Sequence, residues 1–235
     1  MVRIYYIHCS YEPWIELRID RNIEVSPSII SCDLANLGSQ VTLCEKSGAG
    51  SFHLDVMDGH FVPNFTMGPD LIKAVRKVTG KRIDAHLMIE RPDKYYKTFH
   101  DAGSDVLLIH YEAPVDLRLL FNRMASENID YGLVINPETP FSHVKDLIDE
   151  CKILLIMSVH PGFSGQSFIE SSLPKIREAR KYIDDNGIDC RIEIDGGINY
   201  ENGKKAVEAG SDILVSASYI FYNNIAESIE KLRSI

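Results

Sequence analysis

The run Ser51-Phe52-His53-Leu54-Asp55-Val56-Met57, followed after one helical segment by Arg82-Ile83-Asp84-Ala85-His86-Leu87-Met88-Ile89, spells a strand, a helix and a second strand. Both runs are short, largely apolar and bounded by turn residues, which suits strands rather than helices. Pro69 to Thr79 between them has helical periodicity, with a proline at the first turn, where its fixed φ and missing N–H do no harm. Alternate residues of an extended chain share one face, so His53, Asp55 and Met57 point one way and Leu54 and Val56 the other.

The same unit repeats along the chain. Strands are expected at Glu24 to Ile30, Ser51 to Met57, Arg82 to Ile89, Asp105 to His110, Tyr131 to Ile135, Ile153 to Val159, Cys190 to Ile194 and Ile213 to Ser216. Helices are expected after them at Asp33 to Ser47, Pro69 to Thr79, Pro92 to Ala102, Val115 to Glu127, Pro140 to Cys151, Ile169 to Asn186, Tyr200 to Ala209 and Asn224 to Ser234. Gly48, Gly80, Gly103, Gly187 and Gly210 fall where those helices should stop. Eight strand-helix units in about 210 residues predict an α/β chain closed into a (β/α)8 TIM barrel. An open doubly wound sheet would carry a Gly-x-Gly-x-x-Gly turn after its first strand, and Ser31-Cys32-Asp33-Leu34 is unlike it. One barrel domain is therefore expected over residues 23–235. Residues 1–22 form a short N-terminal extension, with Ile4 to Ile7 and Trp14 to Ile19 as candidate added strands.

The 235 residues carry a formal charge of −9, which argues against nucleic acid or an anionic membrane as the main partner. Local basic residues could still bind a small phosphate. The five cysteines, at positions 9, 32, 44, 151 and 190, are scattered and form no Cys-x-x-Cys pair, so a reducing cytoplasm is the expected compartment. No apolar stretch approaches the roughly 20 residues that span a bilayer, and the apolar run near the N-terminus is too short for a signal peptide. A soluble protein is expected.

In a barrel of this kind the C-terminal strand ends and the loops after them make the active face. His53 and Asp55 end the second strand, His86 the third and Asp195 the seventh, so all four can converge there. Imidazole nitrogen with carboxylate oxygen suits one divalent metal ion of the Zn²⁺, Fe²⁺, Mn²⁺ or Co²⁺ type better than Mg²⁺ or Ca²⁺. Buried carboxylates need a compensating cation, and no Lys or Arg lies within these strand-end motifs. His100, His110 and His143 gain no role from spacing, and His100 and His143 read as helix-surface residues.

In order along the chain come Ser26-Pro27-Ser28-Ile29-Ile30-Ser31, then His53 to Asn64, His86-Leu87-Met88, Met157 to Gln166, and Asp195-Gly196-Gly197-Ile198. From about Val25 to the C-terminus these motifs resemble the ribulose-phosphate 3-epimerases, to which allulose-6-phosphate 3-epimerases are similar. The resemblance implies a cytoplasmic enzyme of the pentose phosphate pathway, assembled as a homo-oligomer, that acts on a phosphorylated ketose. It implies that His53, Asp55, His86 and Asp195 hold the metal and that Asp55 and Asp195 are the catalytic acid/base pair. Inverting a carbon beside a ketone takes a proton from one face and returns one to the other through an enediolate, which two opposed carboxylates can do. Met57, Met88 and Met157 resemble the family's thioether cap on the intermediate, and Ser28 resembles a residue contacting the sugar or a metal-bound water. Gly162, Phe163, Ser164 and Gly165, with Gly196, Gly197, Ala217 and Ser218, resemble the cup for the substrate phosphate.

Three departures stand out. Ala217 replaces the family's usual glycine, where its methyl is expected to crowd the phosphate or bar a positive φ. His160 replaces an Asn or acidic residue, and Ser164 a frequent glycine, so the loop after the sixth strand is expected to close differently. A hexulose-phosphate 3-epimerase is the nearest rival function, and a silent sugar-phosphate-binding barrel a more distant one. A decarboxylase on this fold would resemble an Asp-x-Lys-x-x-Asp pattern, but Asp84-Ala85-His86 lacks the lysine.

Overall fold

Eight parallel strands alternate with helical segments in the computed structural model, which describes residues 22 to 235. The strands are β1 (Glu24–Pro27), β2 (Ser51–Met57), β3 (Arg82–Met88), β4 (Val106–His110), β5 (Asp130–Ile135), β6 (Ile153–Met157), β7 (Arg191–Asp195) and β8 (Ile213–Ser216). The α-helices are α1 (Leu37–Lys46), α2 (Pro69–Arg76), α3 (Pro92–Asp101), α4 (Leu117–Ser126), α5 (Ser172–Asn186), α6 (Tyr200–Ala209), α7 (Ser218–Phe221) and α8 (Ile225–Arg233). The short strands expected at Ile4 to Ile7 and Trp14 to Ile19 lie outside the described residues.

From β2 to β8 each strand pairs with the next along the chain, and β8 pairs with β1. Between β1 and β2 a parallel bridge joins Ser28 to His53, and the Gly50 N–H donates to the Val25 carbonyl at 3.0 Å. The sheet is thereby a barrel, as the eightfold alternation predicts.

The two-residue strand period separates two apolar cores. Leu54, Val56, Ala85, Leu87, Leu107, Ile109, Leu154, Ile156, Ile192 and Ile194 face outward and pack with the helices. Val106, Leu108, Val134, Ile153, Leu155, Met157 and Ile213 form a separate cluster inside the ring. The polar residues His53, Asp55, His86 and Glu193 occupy the inward phase of their strands, so the barrel interior is apolar on one side and ionisable on the other.

Two expectations are corrected. The segment Pro140 to Cys151 is not an α-helix but two 3₁₀ turns, Phe141–His143 and Lys145–Leu147. Pro140 offers no side-chain cap, and Ser142, His143, Asp146 and Asp149 are weak helix formers. Repeated i to i−3 turns bury Phe141, Val144, Ile148 and Cys151 just as well. The first strand stops at Pro27 rather than Ile30, because the Ser28 hydroxyl accepts the Ile30 N–H and turns the chain into a 3₁₀ segment, Ile29–Ser31. A short helix after β8, α7, carries no separate periodic signal in the sequence.

Candidate active site and metal centre

The residue register carries His53, Asp55 and His86 to one place. Asp55 pairs with His86 across β2 and β3, and Asp195 ends β7 beside Met157 of β6. One donor atom from each of His53, Asp55, His86 and Asp195 lies within 4.8 Å of every other. His53 Nε2 is 3.3 Å from Asp55 Oδ1, 3.1 Å from His86 Nδ1 and 3.9 Å from Asp195 Oδ2, while His86 Nδ1 is 3.1 Å from Asp55 Oδ1. His53 and His86 are fully buried, whereas the Asp195 side chain is 18% exposed and opens on the cleft above. The four donors expected from sequence are thus together, with no Lys or Arg among their polar partners. That chemistry fits a divalent cation: two imidazoles and two carboxylates at the mouth of a buried funnel.

The two carboxylates differ in environment. Burial alone would raise Asp55, but the adjacent His53 and then His86 hold it well below the usual carboxylate range. Burial, reinforced by the Asp55 charge, pushes Asp195 up to about 7. Burial opposes charge on both histidines; Asp55 and Glu193 nevertheless raise His53, while His86 is driven down to about 3. The Ser28 hydroxyl donates to Asp55 Oδ2 at 2.6 Å and fixes that carboxylate from the C-terminal end of β1.

One cleft covers this cluster. Ser28, Met57, Met88 and Met157 line it at the carboxylate end, and Gly162, Phe163, Ser164, Gly165, Gly196, Gly197, Ala217 and Ser218 line it at the other. Met57 and Met88 pack with Val62, Ile30 and Phe61, and the three methionines are at most 5% exposed. The glycines after β7 are sterically required: Gly197 has φ +61°, and a Cβ there would sit 2.7 Å from the Phe168 nitrogen. Gly197→Ala is expected to destabilise the fold by about 1–3 kcal/mol, read as a lowered denaturant midpoint. A midpoint equal to the parent's would show that the turn relaxes freely.

The loop after β6 is tied across the mouth. Asn64 Nδ2 donates to the Gly162 carbonyl at 2.7 Å, and Gln166 Nε2 donates to the His160 and Phe163 carbonyls at 2.6 and 2.9 Å. His160 Nδ1 lies 3.3 Å from Glu138 Oε1 of the loop after β5, a pair exposed on both sides. Ala217 has φ −107°, so its methyl meets no left-handed backbone requirement, and that part of the expectation is corrected.

Three buried or half-buried groups were not singled out by the sequence reading. Glu193 Oε1 lies 2.9 Å from His53 Nδ1. His110 Nε2 lies 2.8 Å from His86 Nε2, and His110 Nδ1 lies 3.2 Å from Glu112 Oε2. The signal was available: His110-Tyr111-Glu112 and Glu193-Ile194-Asp195 repeat, at strand ends, the two-residue offset of His53-Leu54-Asp55. His110 gains no role from spacing, and the structure places it against a cluster histidine. His143 is exposed, as expected.

Fold and site together define a (β/α)8 protein with a two-histidine, two-carboxylate cluster at the C-terminal mouth of its barrel. A family model described as the ribulose-phosphate 3 epimerase family matches residues 24–221. The ribulose-phosphate 3-epimerase of Bacillus subtilis is 45% identical over 200 residues, covering 85% of this chain and 92% of the relative. That of Escherichia coli K12 is 39% identical over 213 residues, covering 89% and 94%. A solved 3-hexulose-6-phosphate synthase from Salmonella typhimurium shares the fold at a TM-score of 0.67 and 17% identity, covering 90% of this chain and 97% of that one. The chain belongs to the ribulose-phosphate 3-epimerase family and is an epimerase. No helix among the described residues is long and apolar enough to cross a membrane.

Proposed function

We propose that the protein interconverts D-ribulose 5-phosphate and D-xylulose 5-phosphate by inverting C3, with Asp55 and Asp195 as the acid/base pair. The observation that carries this reading is the convergence of two carboxylates, Asp55 and Asp195, with two histidines at the floor of one cleft, the two acids standing in environments that shift them in opposite directions. Groups of the same type with separated proton affinities are suited to opposite roles in one turnover. Asp55 takes the C3 proton on one face while Asp195 returns one on the other, and the roles exchange in the reverse direction.

A divalent cation held by His53, Asp55, His86 and Asp195 would supply positive charge to offset the negative charge that develops on the substrate oxygens. Zn²⁺ is our first assignment for this donor set, with Fe²⁺, Mn²⁺ and Co²⁺ as chemically matched alternatives. The Ser28 hydroxyl orients Asp55, and the three methionines keep water from the reacting carbon while leaving a soft surface for delocalised charge. We assign the phosphate to the glycine end of the cleft, at Gly162 to Gly165, Gly196, Gly197, Ala217 and Ser218. There Ala217→Gly is expected to lower KM for the phosphorylated sugar by removing a methyl from the cleft wall; an unchanged or higher KM would show that the methyl stands clear of the anion. The buried thiols of Cys32, Cys44, Cys151 and Cys190, none in a disulfide, support a reducing cytosol as its compartment.

The deciding assay compares five- and six-carbon ketose 5- and 6-phosphates on one sample whose metal content is measured. The expected result is faster turnover of the pentulose phosphate with one divalent ion per chain. Faster turnover of the hexulose phosphate would reassign the substrate. Absence of both turnover and C3 proton exchange would make the barrel a binder.

A further inference from the structure

His86 has both ring nitrogens engaged. Nδ1 faces the cluster, 3.1 Å from both Asp55 Oδ1 and His53 Nε2, so it is the nitrogen that must present a lone pair to a cation. Nε2 must then carry the proton, and 2.8 Å beyond it stands His110 Nε2. A proton shared between two imidazole nitrogens runs one way only, so His110 Nε2 accepts and its own proton sits on Nδ1. That nitrogen is 3.2 Å from Glu112 Oε2. Glu112 is fixed in turn: its Oε1 accepts the Asn136 N–H at 3.0 Å and the Thr139 hydroxyl. The chain of donors is therefore ordered from His86 through His110 to Glu112.

Packing holds the line in place. His86 and His110 are fully buried, their rings inclined by only 20° with centroids 4.9 Å apart, and the Phe61 ring covers His110 at 4.8 Å. Water cannot substitute for a partner at a fully buried site, so the other tautomer of His86, with His110 unchanged, would set two nitrogen lone pairs against each other at 2.8 Å. The other cluster histidine is served directly, by Glu193 Oε1 on His53 Nδ1 at 2.9 Å. Two histidines thus receive the same carboxylate support by different routes, one immediate and one through an intervening imidazole.

We propose that His110 and Glu112 are positioning residues that fix the tautomer and ring orientation of His86, so that its Nδ1 is presented to the cation. This rests on the metal reading given above. The test uses the full chain, with Zn²⁺ affinity measured by competition against a chromophoric chelator, beside the melting temperature of each metal-free protein. His110→Leu removes the acceptor and is expected to lower Zn²⁺ affinity about 10- to 100-fold, and Glu112→Leu about 10-fold. His110→Gln, whose amide oxygen can accept from His86 Nε2–H, is expected to stay within about threefold of the parent. A purely structural role would make the two His110 variants fall or survive together, with affinity following melting temperature. Ring-nitrogen NMR of the Zn²⁺-loaded parent gives an independent readout that needs no variant. Protons on His86 Nε2 and His110 Nδ1 support the proposal, and a proton on His110 Nε2 overturns it. A parent that binds no Zn²⁺ would fail the metal reading itself. A parent that binds while His110→Leu binds equally well would overturn only the role of His110.

Discussion

Asp195→Asn is expected to lower kcat for epimerisation by about 10²–10⁴-fold, the range over which a positioned acid or base contributes. Asp55→Asn is expected to do the same, since each carboxylate serves one face of the reacting carbon. Neither change should unfold the barrel. Asp195 holds its strand through the backbone register with Met157 and Val215, and its carboxylate oxygen comes only to 3.9 Å from His53. The stability of the metal-free protein gives a second check. With Asp195 raised from 3.8 to about 7, the folded state keeps a proton that the unfolded state has released between those values. Raising the pH through that window therefore costs the parent stability, and Asp195→Asn should lack that dependence. Near-parental kcat in either variant would remove that residue from the acid/base pair.

Stripping the divalent ion with a chelator is expected to reduce turnover by about 10³-fold, because charge stabilisation of this kind is worth several kcal/mol. Re-addition of Zn²⁺, Mn²⁺, Fe²⁺ or Co²⁺ should restore it, and the efficiencies should differ with the ion. The affinity should also depend on pH in a stated direction. His86, held down at about 3, offers its lone pair at every working pH. Asp195, near 7, must lose a proton before it can ligate, so affinity falls by about tenfold per pH unit below that value. The raised His53 adds a second displaced proton and steepens the fall. Chelator-treated, metal-free protein with undiminished turnover would contradict the role given to the cluster.

The sequence made the architecture legible because its signal is repeated. The boundaries of strands β2 and β8 and of helix α6 coincide with the expected ones; polar or glycine residues bound β2 and α6 on both sides, and Asp212 bounds β8 at its start. The segment after β5 misled because apolar spacing of three and four residues serves a train of 3₁₀ turns as well as an α-helix. The end of β1 misled because a hydroxyl competing for a backbone N–H is a local event with no periodicity. Within the site, the strand period alone put His53, Asp55, His86 and Asp195 on inward positions at the right end of the barrel. What it could not convey was the supporting layer. Glu193 and His110 matter through contacts between strands, from β7 to β2 across the ring and from β4 to its neighbour β3, which the period of a single strand does not report.

The most direct test of the two-base claim is to run the first turnovers of either epimer in deuterated water and locate the hydrogen at C3. Separate carboxylates on opposite faces predict that newly formed product carries solvent deuterium at C3 while unconverted substrate retains its original hydrogen. Product that keeps the hydrogen of the substrate would mean that a single group carries the proton from one face to the other, and would contradict the roles assigned to Asp55 and Asp195.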